Sequence, residues 1–170
     1  MRNIKILAII PYEGLRDNML KAAKSYENVS MQVVVGTMEL GLKYAKEAEK
    51  ADYDIIISRG GTAETIEEYI SLPVVHIPVS VFDYMQIIEK AGKTDKPTAI
   101  IGYANVTEDA YHIKAVAKSN IDIFTIMDPK EIIPLLEKLK SDGYQLIVGD
   151  VVTVEYARIL GMTGIMMESG

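Results

Sequence analysis

The chain has 170 residues, of which 49% are hydrophobic and 25% are charged. This composition is that of an ordinary globular protein and argues against a disordered chain. The formal net charge of -6 argues against binding nucleic acid or an anionic membrane by bulk electrostatics, so any anionic ligand must be attracted by local charges. There is no cysteine, which excludes disulfides, thiolate metal sites and cysteine nucleophiles.

The amino-terminal segment MRNIKILAII contains a short apolar run that Lys5 interrupts and Pro11 follows. It lacks the small-residue cleavage site of a signal peptide and is too short to span a membrane, so it predicts a first strand. We expect a cytoplasmic protein with no membrane segment.

Short runs rich in isoleucine and valine recur along the chain, and segments with helical periodicity separate most of them. The runs cover residues 4–10, 31–35, 54–58, 74–77, 97–102, 121–125, 145–149 and 164–167. Strands that are apolar on both faces and alternate with helices predict an α/β fold, in which helices cover both faces of a parallel sheet.

The second half of the chain repeats the pattern of the first at a spacing of 91 residues (149 − 58). At this spacing YDIIISRGGTAE lies over YQLIVGDVVTVE, Tyr12 over Tyr103, and Pro73-Val74 over Gly164-Ile165. We interpret this as a duplicated unit with one four-stranded parallel sheet in each copy.

The repeat predicts three regions along the chain. Residues 1–80 form an amino-terminal α/β lobe, 81–96 a linker helix, and 97–170 a carboxyl-terminal lobe whose final helix is missing relative to the first. Ligands of open parallel sheets bind at the carboxyl ends of the strands, so we expect a ligand cleft between the two lobes.

The turn SRGGTAE follows the third strand of the first lobe. Gly60 and Gly61 let the backbone approach a ligand, Thr62 is expected to cap the next helix, and Arg59 offers a bidentate fork for a carboxylate. The counterpart of Arg59 in the repeat is Asp150. Asp150 fits two roles, accepting hydrogen bonds from ligand hydroxyls or forming a salt bridge with Arg59.

No phosphate-loop, dinucleotide-binding, nucleophile-elbow or zinc-protease motif occurs in the sequence. His76 is expected in a strand as a packed side chain, and His112 on a solvated helix face. Asp83 fits either a cap formed with Ser80 or a place in the cleft. We predict no catalytic residue, metal site or cofactor, and therefore no enzyme.

Four segments, SRGGTAE, PVVHIPVSVFDYMQ, IGYAN and VGDVVTVEYARILGMTGIMMESG, together resemble the amino-terminal sensory domain of the propionate-catabolism regulators. These are bacterial sigma-54-dependent transcriptional activators. The resemblance implies two similar Rossmann-like lobes that bind a small effector, 2-methylcitrate in the propionate regulators.

The resemblance also implies a set of ligand-binding residues and further domains. The residues are Ser58, Arg59, Gly60, Gly61, Thr62, Ser80, Asp83, Tyr103, Asn105, Gly149, Asp150 and Ser169. In the family, an ATPase domain and a helix-turn-helix follow the sensory domain, but neither occurs in this chain. The chain is therefore either a fragment or a free-standing sensory domain.

We predict an effector-binding sensory domain for a small organic anion, a 2-methylcitrate-like carboxylate, which controls the downstream ATPase and DNA-binding region. Two alternatives are an enzyme with a chelatase-like or sugar-nucleotide-type two-lobed fold, and an interaction domain with an empty cleft. The pair Met85 and Ile88 fits either a homodimer contact or the core, and we favour the core.

Overall fold

A computed structural model describes residues 2–117 and 120–167. The chain divides into two compact units, Met1–Ile77 and Pro78–Gly170. Among the described residues, no helix is both long and apolar enough to cross a membrane.

The first unit has a four-stranded sheet with the strand order β2-β1-β3-β4, in which every neighbouring pair is parallel. In chain order its described elements are β1 (Ile4–Ile10), α1 (Arg16–Ala23), β2 (Val29–Val35), α2 (Met38–Lys50), β3 (Ile55–Ser58), α3 (Gly60–Tyr69) and β4 (Val74–His76). Leu7 and Ile9 on one face of β1 pack against α2 and α3. Ala8 and Ile10 on the other face pack with Leu15 and α1.

The second unit has the equivalent strand order, β6-β5-β7-β8, again with parallel pairs only. Its described elements are α4 (Val81–Gly92), β5 (Thr98–Gly102), α5 (Ala104–Ala117), β6 (Asp122–Thr125), α6 (Ile132–Ser141), β7 (Leu146–Gly149), α7 (Val151–Ile159) and β8 (Thr163–Met166). Ile100 packs with Tyr84 of α4 and Ala110 of α5. Ile101 lies on the opposite face and packs with α6 and α7.

These two parallel sheets, each with helices on both faces, confirm the predicted α/β fold class. The helix expected as a linker, α4, packs within the second unit, where Tyr84, Ile87 and Ala91 are buried. The predicted domain boundaries stay a prediction. Ile88 packs against the core as expected, but Met85 is 50% exposed, so the core interpretation is wrong for Met85.

Each unit contains its own tyrosine hydrogen bond, and the repeat aligns the two tyrosines. Tyr53 precedes β3 and its hydroxyl donates a hydrogen bond to Gln32 of β2. Tyr144 precedes β7 and donates to Asp122 of β6 at 2.6 Å. In both units the third strand is therefore tied to the second by the residue that the repeat aligns.

The structure also corrects the repeat in detail. Ile57 and Val148 keep the spacing of 91 (148 − 57), but their partners Ala8 and Ile100 are 92 apart (100 − 8). The edge strands β4 and β8 are displaced in the opposite direction. Val75 pairs with Ile57 and Ile165 pairs with Val148, but Val75 and Ile165 are 90 residues apart (165 − 75). Strands that are apolar on both faces align almost equally well after a slip of one residue, so the sequence does not show these shifts.

Candidate functional site

The turn of residues 58–62 lies at the carboxyl edge of the first sheet. Ser58 ends β3, is fully buried, and its hydroxyl donates a hydrogen bond to the Ile9 carbonyl of β1 at 2.8 Å. Its side chain therefore ties together the ends of two neighbouring strands.

Arg59 follows in an extended conformation and is the N-cap residue of α3. Its side chain makes no cap hydrogen bond, and only 7% of the residue is exposed. The turn therefore places a nearly buried arginine at the N-cap, next to the positive end of a helix dipole.

Gly60 begins α3 with a φ of +54°, in the left-handed region that favours glycine. A Cβ on Gly60 would meet no atom within 4 Å, so the backbone conformation alone requires glycine here.

Thr62 lies inside α3 and does not cap it, so the expected cap role is wrong. With Thr62 as the cap the helix would begin at Ala63, but α3 begins three residues earlier, at Gly60, with Arg59 as its N-cap. The Thr62 hydroxyl oxygen instead accepts a hydrogen bond from the backbone nitrogen of Met38 at 3.0 Å. Met38 is the first residue of α2, whose N-cap Thr37 makes no side-chain cap bond.

The sequence did not predict the contact between Met38 and Thr62. Met38 has a φ of +46°, which is uncommon for a residue other than glycine. The only signal in the sequence is Gly36-Thr37 at the end of a strand, and this pattern does not reveal which residue would cap the helix.

Ser80 and Asp83 form a capping box at the start of α4. The Ser80 hydroxyl oxygen accepts from the Asp83 backbone nitrogen at 3.2 Å, and the Asp83 carboxylate accepts from the Ser80 backbone nitrogen at 2.8 Å. Of the two roles considered for Asp83, the structure thus shows the cap.

Gly149 and Asp150 end β7 and begin α7 of the second unit. Asp150 is the N-cap, and its carboxylate accepts a hydrogen bond from the Thr153 backbone nitrogen at 2.8 Å. A Cβ on Gly149 would lie 2.8 Å from the Thr153 Cγ2 carbon, so a larger residue does not fit. The position of Asp150 is equivalent to that of Arg59, with the opposite charge.

Tyr103 and Asn105 lie beside Gly149 and Asp150, because β5 and β7 are neighbouring strands of the second sheet. The Tyr103 carbonyl accepts hydrogen bonds from the backbone nitrogens of Val106 and Thr107, both at 2.9 Å. Tyr103 is buried, and Asn105 is half-buried in the first turn of α5. Ser169 lies outside the described residues.

The predicted site residues thus fall into three groups. Residues 58–62 share the edge of the first sheet, Tyr103, Asn105, Gly149 and Asp150 share the edge of the second, and Ser80 with Asp83 opens α4. A ligand role for any of them stays a prediction.

Of the two histidines, His76 lies beside Ser58, because the two residues are register partners in the parallel pair of β3 and β4, whereas His112 lies on α5. His76 ends β4, and its Nε2 atom lies 3.1 Å from a Glu67 carboxylate oxygen. His112 is exposed on α5, as expected. Within the described residues, no three histidine, aspartate or glutamate side chains come together as metal ligands.

Comparison with known proteins identifies the family. Residues 25–170 match the family described as "Propionate catabolism activator". The chain is also similar to the crystal structure of an NtrC family transcriptional regulator from Clostridium acetobutylicum, with 27% identity and a TM-score of 0.85 over 99% of this chain and 89% of that one.

A more distant structure shares the fold alone. It is the ABC domain in complex with L-Trp from Streptococcus pneumonia, with 12% identity and a TM-score of 0.52 over 96% of this chain and 74% of that one. Because the family match spans most of the chain, the protein belongs to the propionate catabolism activator family and has the fold of a sensory domain of a transcriptional activator.

Proposed function

We propose that this sensory domain binds a small organic anion, a carboxylate similar to 2-methylcitrate, and thereby controls a downstream ATPase and DNA-binding region of the activator. The observation that carries the proposal is the turn of residues 59–61, in which a nearly buried arginine precedes the amino terminus of α3. Arg59 and the Gly60-Gly61 backbone form the anion receptor.

Local charge supports an anionic effector. The chain has a net charge of -6, so attraction must come from single groups and not from the protein as a whole. A helix amino terminus contributes roughly half a positive charge. A charged hydrogen bond from a guanidinium contributes about 1.5 to 3 kcal/mol, and its planar fork matches a carboxylate.

The same helix favours a carboxylate over a phosphate dianion. Glu64 is half-buried, and Glu67 and Glu68 are exposed, within the first three turns of α3. Their repulsion opposes a helix-dipole attraction of only about 0.3 to 1 kcal/mol and grows with the charge of the single group that lies at the helix start. A carboxylate, with one charge per group, is therefore the better guest.

The residues at the edge of the second sheet are proposed as ligand-contacting residues on similar grounds. Tyr103, Asn105, Gly149 and Asp150 lie at the carboxyl ends of parallel strands, where open α/β sheets bind ligands. One Asp150 carboxylate oxygen accepts the Thr153 amide, and the other suits a ligand hydroxyl.

Signalling follows if the effector binds two conformations of the domain with different affinities, because equal affinity would shift no equilibrium. A metabolite sensor of this kind operates in the micromolar to millimolar range, roughly -8 to -4 kcal/mol of binding free energy.

Calorimetric titration with citrate, 2-methylcitrate, tricarballylate and glucose 6-phosphate tests the proposal. We expect saturable binding of a carboxylate and at least about tenfold weaker binding by Arg59→Ala, given the strength of one charged hydrogen bond. The matched control is Arg158→Ala, an exposed arginine near the carboxyl end of α7, far along the helix from the sheet edge.

Two results would contradict the proposal. One is carboxylate binding that Arg59→Ala leaves unchanged while both variants keep the circular dichroism spectrum of the wild type. The other is binding of glucose 6-phosphate by a domain that binds none of the three carboxylates.

A further inference from the structure

Thr62 connects two helices at the edge of the first sheet. Its hydroxyl oxygen accepts the hydrogen bond from the Met38 backbone nitrogen at 3.0 Å, and the hydroxyl itself lies 3.9 Å from the Met38 sulfur as a donor. The Thr62 hydroxyl thus both accepts from and donates to the same residue of α2. Only 8% of Thr62 is exposed.

The methyl group of Thr62 makes the second part of this connection. A Cβ placed on Gly41 of α2 would lie 2.6 Å from the Thr62 Cγ2 carbon, so the two helices approach each other closely only because residue 41 is glycine. The threonine methyl group is therefore closely packed against α2 at Gly41.

The hydrogen bond also holds an unusual backbone. Met38 keeps a φ of +46°, and such a conformation persists when the surroundings fix it. The Thr37 side chain makes no cap hydrogen bond to α2. Thr62 of the neighbouring helix α3 instead accepts the hydrogen bond from the first backbone nitrogen of α2.

We propose that Thr62 is a positioning residue for effector binding, which acts through Met38 and does not itself contact the effector. Through this bond it fixes the loop of residues 36–38 against the turn of residues 59–61, where Thr62 is the next residue in the helix. The inference rests on the proposed function of that turn as the anion receptor. It assigns Thr62 a role different from the ligand contact that the family resemblance implies.

The test compares isosteric and conservative substitutions by calorimetric titration with 2-methylcitrate. Thr62→Val keeps the shape but loses the oxygen, so we expect about fivefold to tenfold weaker binding, the usual effect of one lost hydrogen bond. Thr62→Ser keeps the oxygen and restores binding to within about twofold of the wild type. A role in packing alone would give the reverse order.

Thr98→Val is the matched control, because Thr98 is a buried threonine at the start of β5 and donates its hydroxyl hydrogen bond to the Lys96 carbonyl at 3.0 Å. This variant loses a buried hydroxyl without touching Met38 or the turn of residues 59–61, and binding stays within about twofold. Hydrogen exchange of the Met38 amide in the absence of ligand supplies the second measurement. It accelerates in Thr62→Val and not in Thr62→Ser or Thr98→Val. Should Thr62→Val fail to fold, Thr62→Ala replaces it with the same expected results.

The possible outcomes separate the two proposals. Equal binding by Thr62→Val and wild type, with Arg59→Ala weakened, overturns the role of Thr62 and leaves the anion receptor standing. Weak binding by both Thr62→Val and Thr62→Ser also overturns it, because the hydroxyl would not be the group that matters. A wild-type domain that binds no carboxylate overturns the proposed function itself.

Discussion

Gly41 of α2 and Thr62 of α3 approach so closely that a Cβ on Gly41 would lie 2.6 Å from the Thr62 Cγ2 carbon. Thr62 is held by its hydrogen bond to Met38 and cannot simply rotate away. We therefore expect Gly41→Ala to destabilise the protein by up to about 2 kcal/mol, since overpacking costs about 1 to 3 kcal/mol and alanine regains about 1 kcal/mol of helix propensity.

Urea unfolding measures this effect, and a second substitution tests its cause. Thr62→Ser removes the offending methyl group, so it should recover part of the loss in the Gly41→Ala background. Gly92→Ala is the control, because a Cβ there meets nothing within 4 Å. A double variant no more stable than Gly41→Ala alone would show that the clash lies elsewhere.

Gly60 provides a test of the turn conformation. Its φ of +54° disfavours any residue with a Cβ, although the space around it is open. Gly60→Ala should lose about 1 to 2 kcal/mol of unfolding free energy, and Gly60→Asn less, because asparagine tolerates the left-handed region. Equal stabilities of the two variants in urea would contradict a left-handed backbone at residue 60.

Asp150 is the N-cap of α7, and its carboxylate accepts the Thr153 amide at 2.8 Å. Asp150→Ala should lower the unfolding free energy by about 1 kcal/mol, within a range of about 0.5 to 2, whereas Asp150→Ser keeps most of the stability. Thermal unfolding of both variants checks this. An alanine variant as stable as the wild type would show that the cap formed by Asp150 does not stabilise the protein.

Tyr144 gives a pH dependence at the alkaline end. The hydrogen bond to Asp122 raises the pKa of Tyr144 above the ordinary value of a tyrosine, and burial of the side chain contributes a smaller rise. The raised pKa means that the contribution to stability is complete below the unfolded pKa and is lost as the pH rises through the folded one. The stability difference between wild type and Tyr144→Phe should therefore shrink as the pH rises above about 10, the ordinary pKa of tyrosine.

Urea unfolding of wild type and Tyr144→Phe at several alkaline pH values measures this difference. The comparison cancels the titration of the other tyrosines and of the lysines, which both proteins share. A difference that stays constant over the whole range would show that the hydrogen bond to Asp122 does not govern the titration of Tyr144.

The fold could be predicted from the sequence because both sheets are buried on both faces. The runs at residues 4–10 and 145–149 consist mostly of aliphatic residues, and the observed strands Ile4–Ile10 and Leu146–Gly149 match them closely. The same property concealed the register shifts at Ala8 and Val75, since a uniformly apolar strand has no polar face to fix its alignment.

The candidate site could be predicted from the sequence only in part. Local chemistry indicated the cap formed by Ser80 and Asp83 and the glycine turn at Gly60, because these residues act through their own neighbours in the chain. The cap that Asp150 forms was not one of its two predicted roles. The partner of Thr62 depends on which helix lies beside it in space. Met38 is 24 residues away in sequence, and no local pattern predicts that distance.

The central claim is that the Gly60-Gly61 turn receives the effector carboxylate. With 12 glycines in the chain, selective labelling with ¹⁵N-glycine gives a simple amide spectrum that can be followed during titration with 2-methylcitrate. We expect the Gly60 and Gly61 amides to shift saturably and Gly92 and Gly143 to stay in place. Saturable binding that moves other glycines and leaves Gly60 and Gly61 unchanged would contradict the claim.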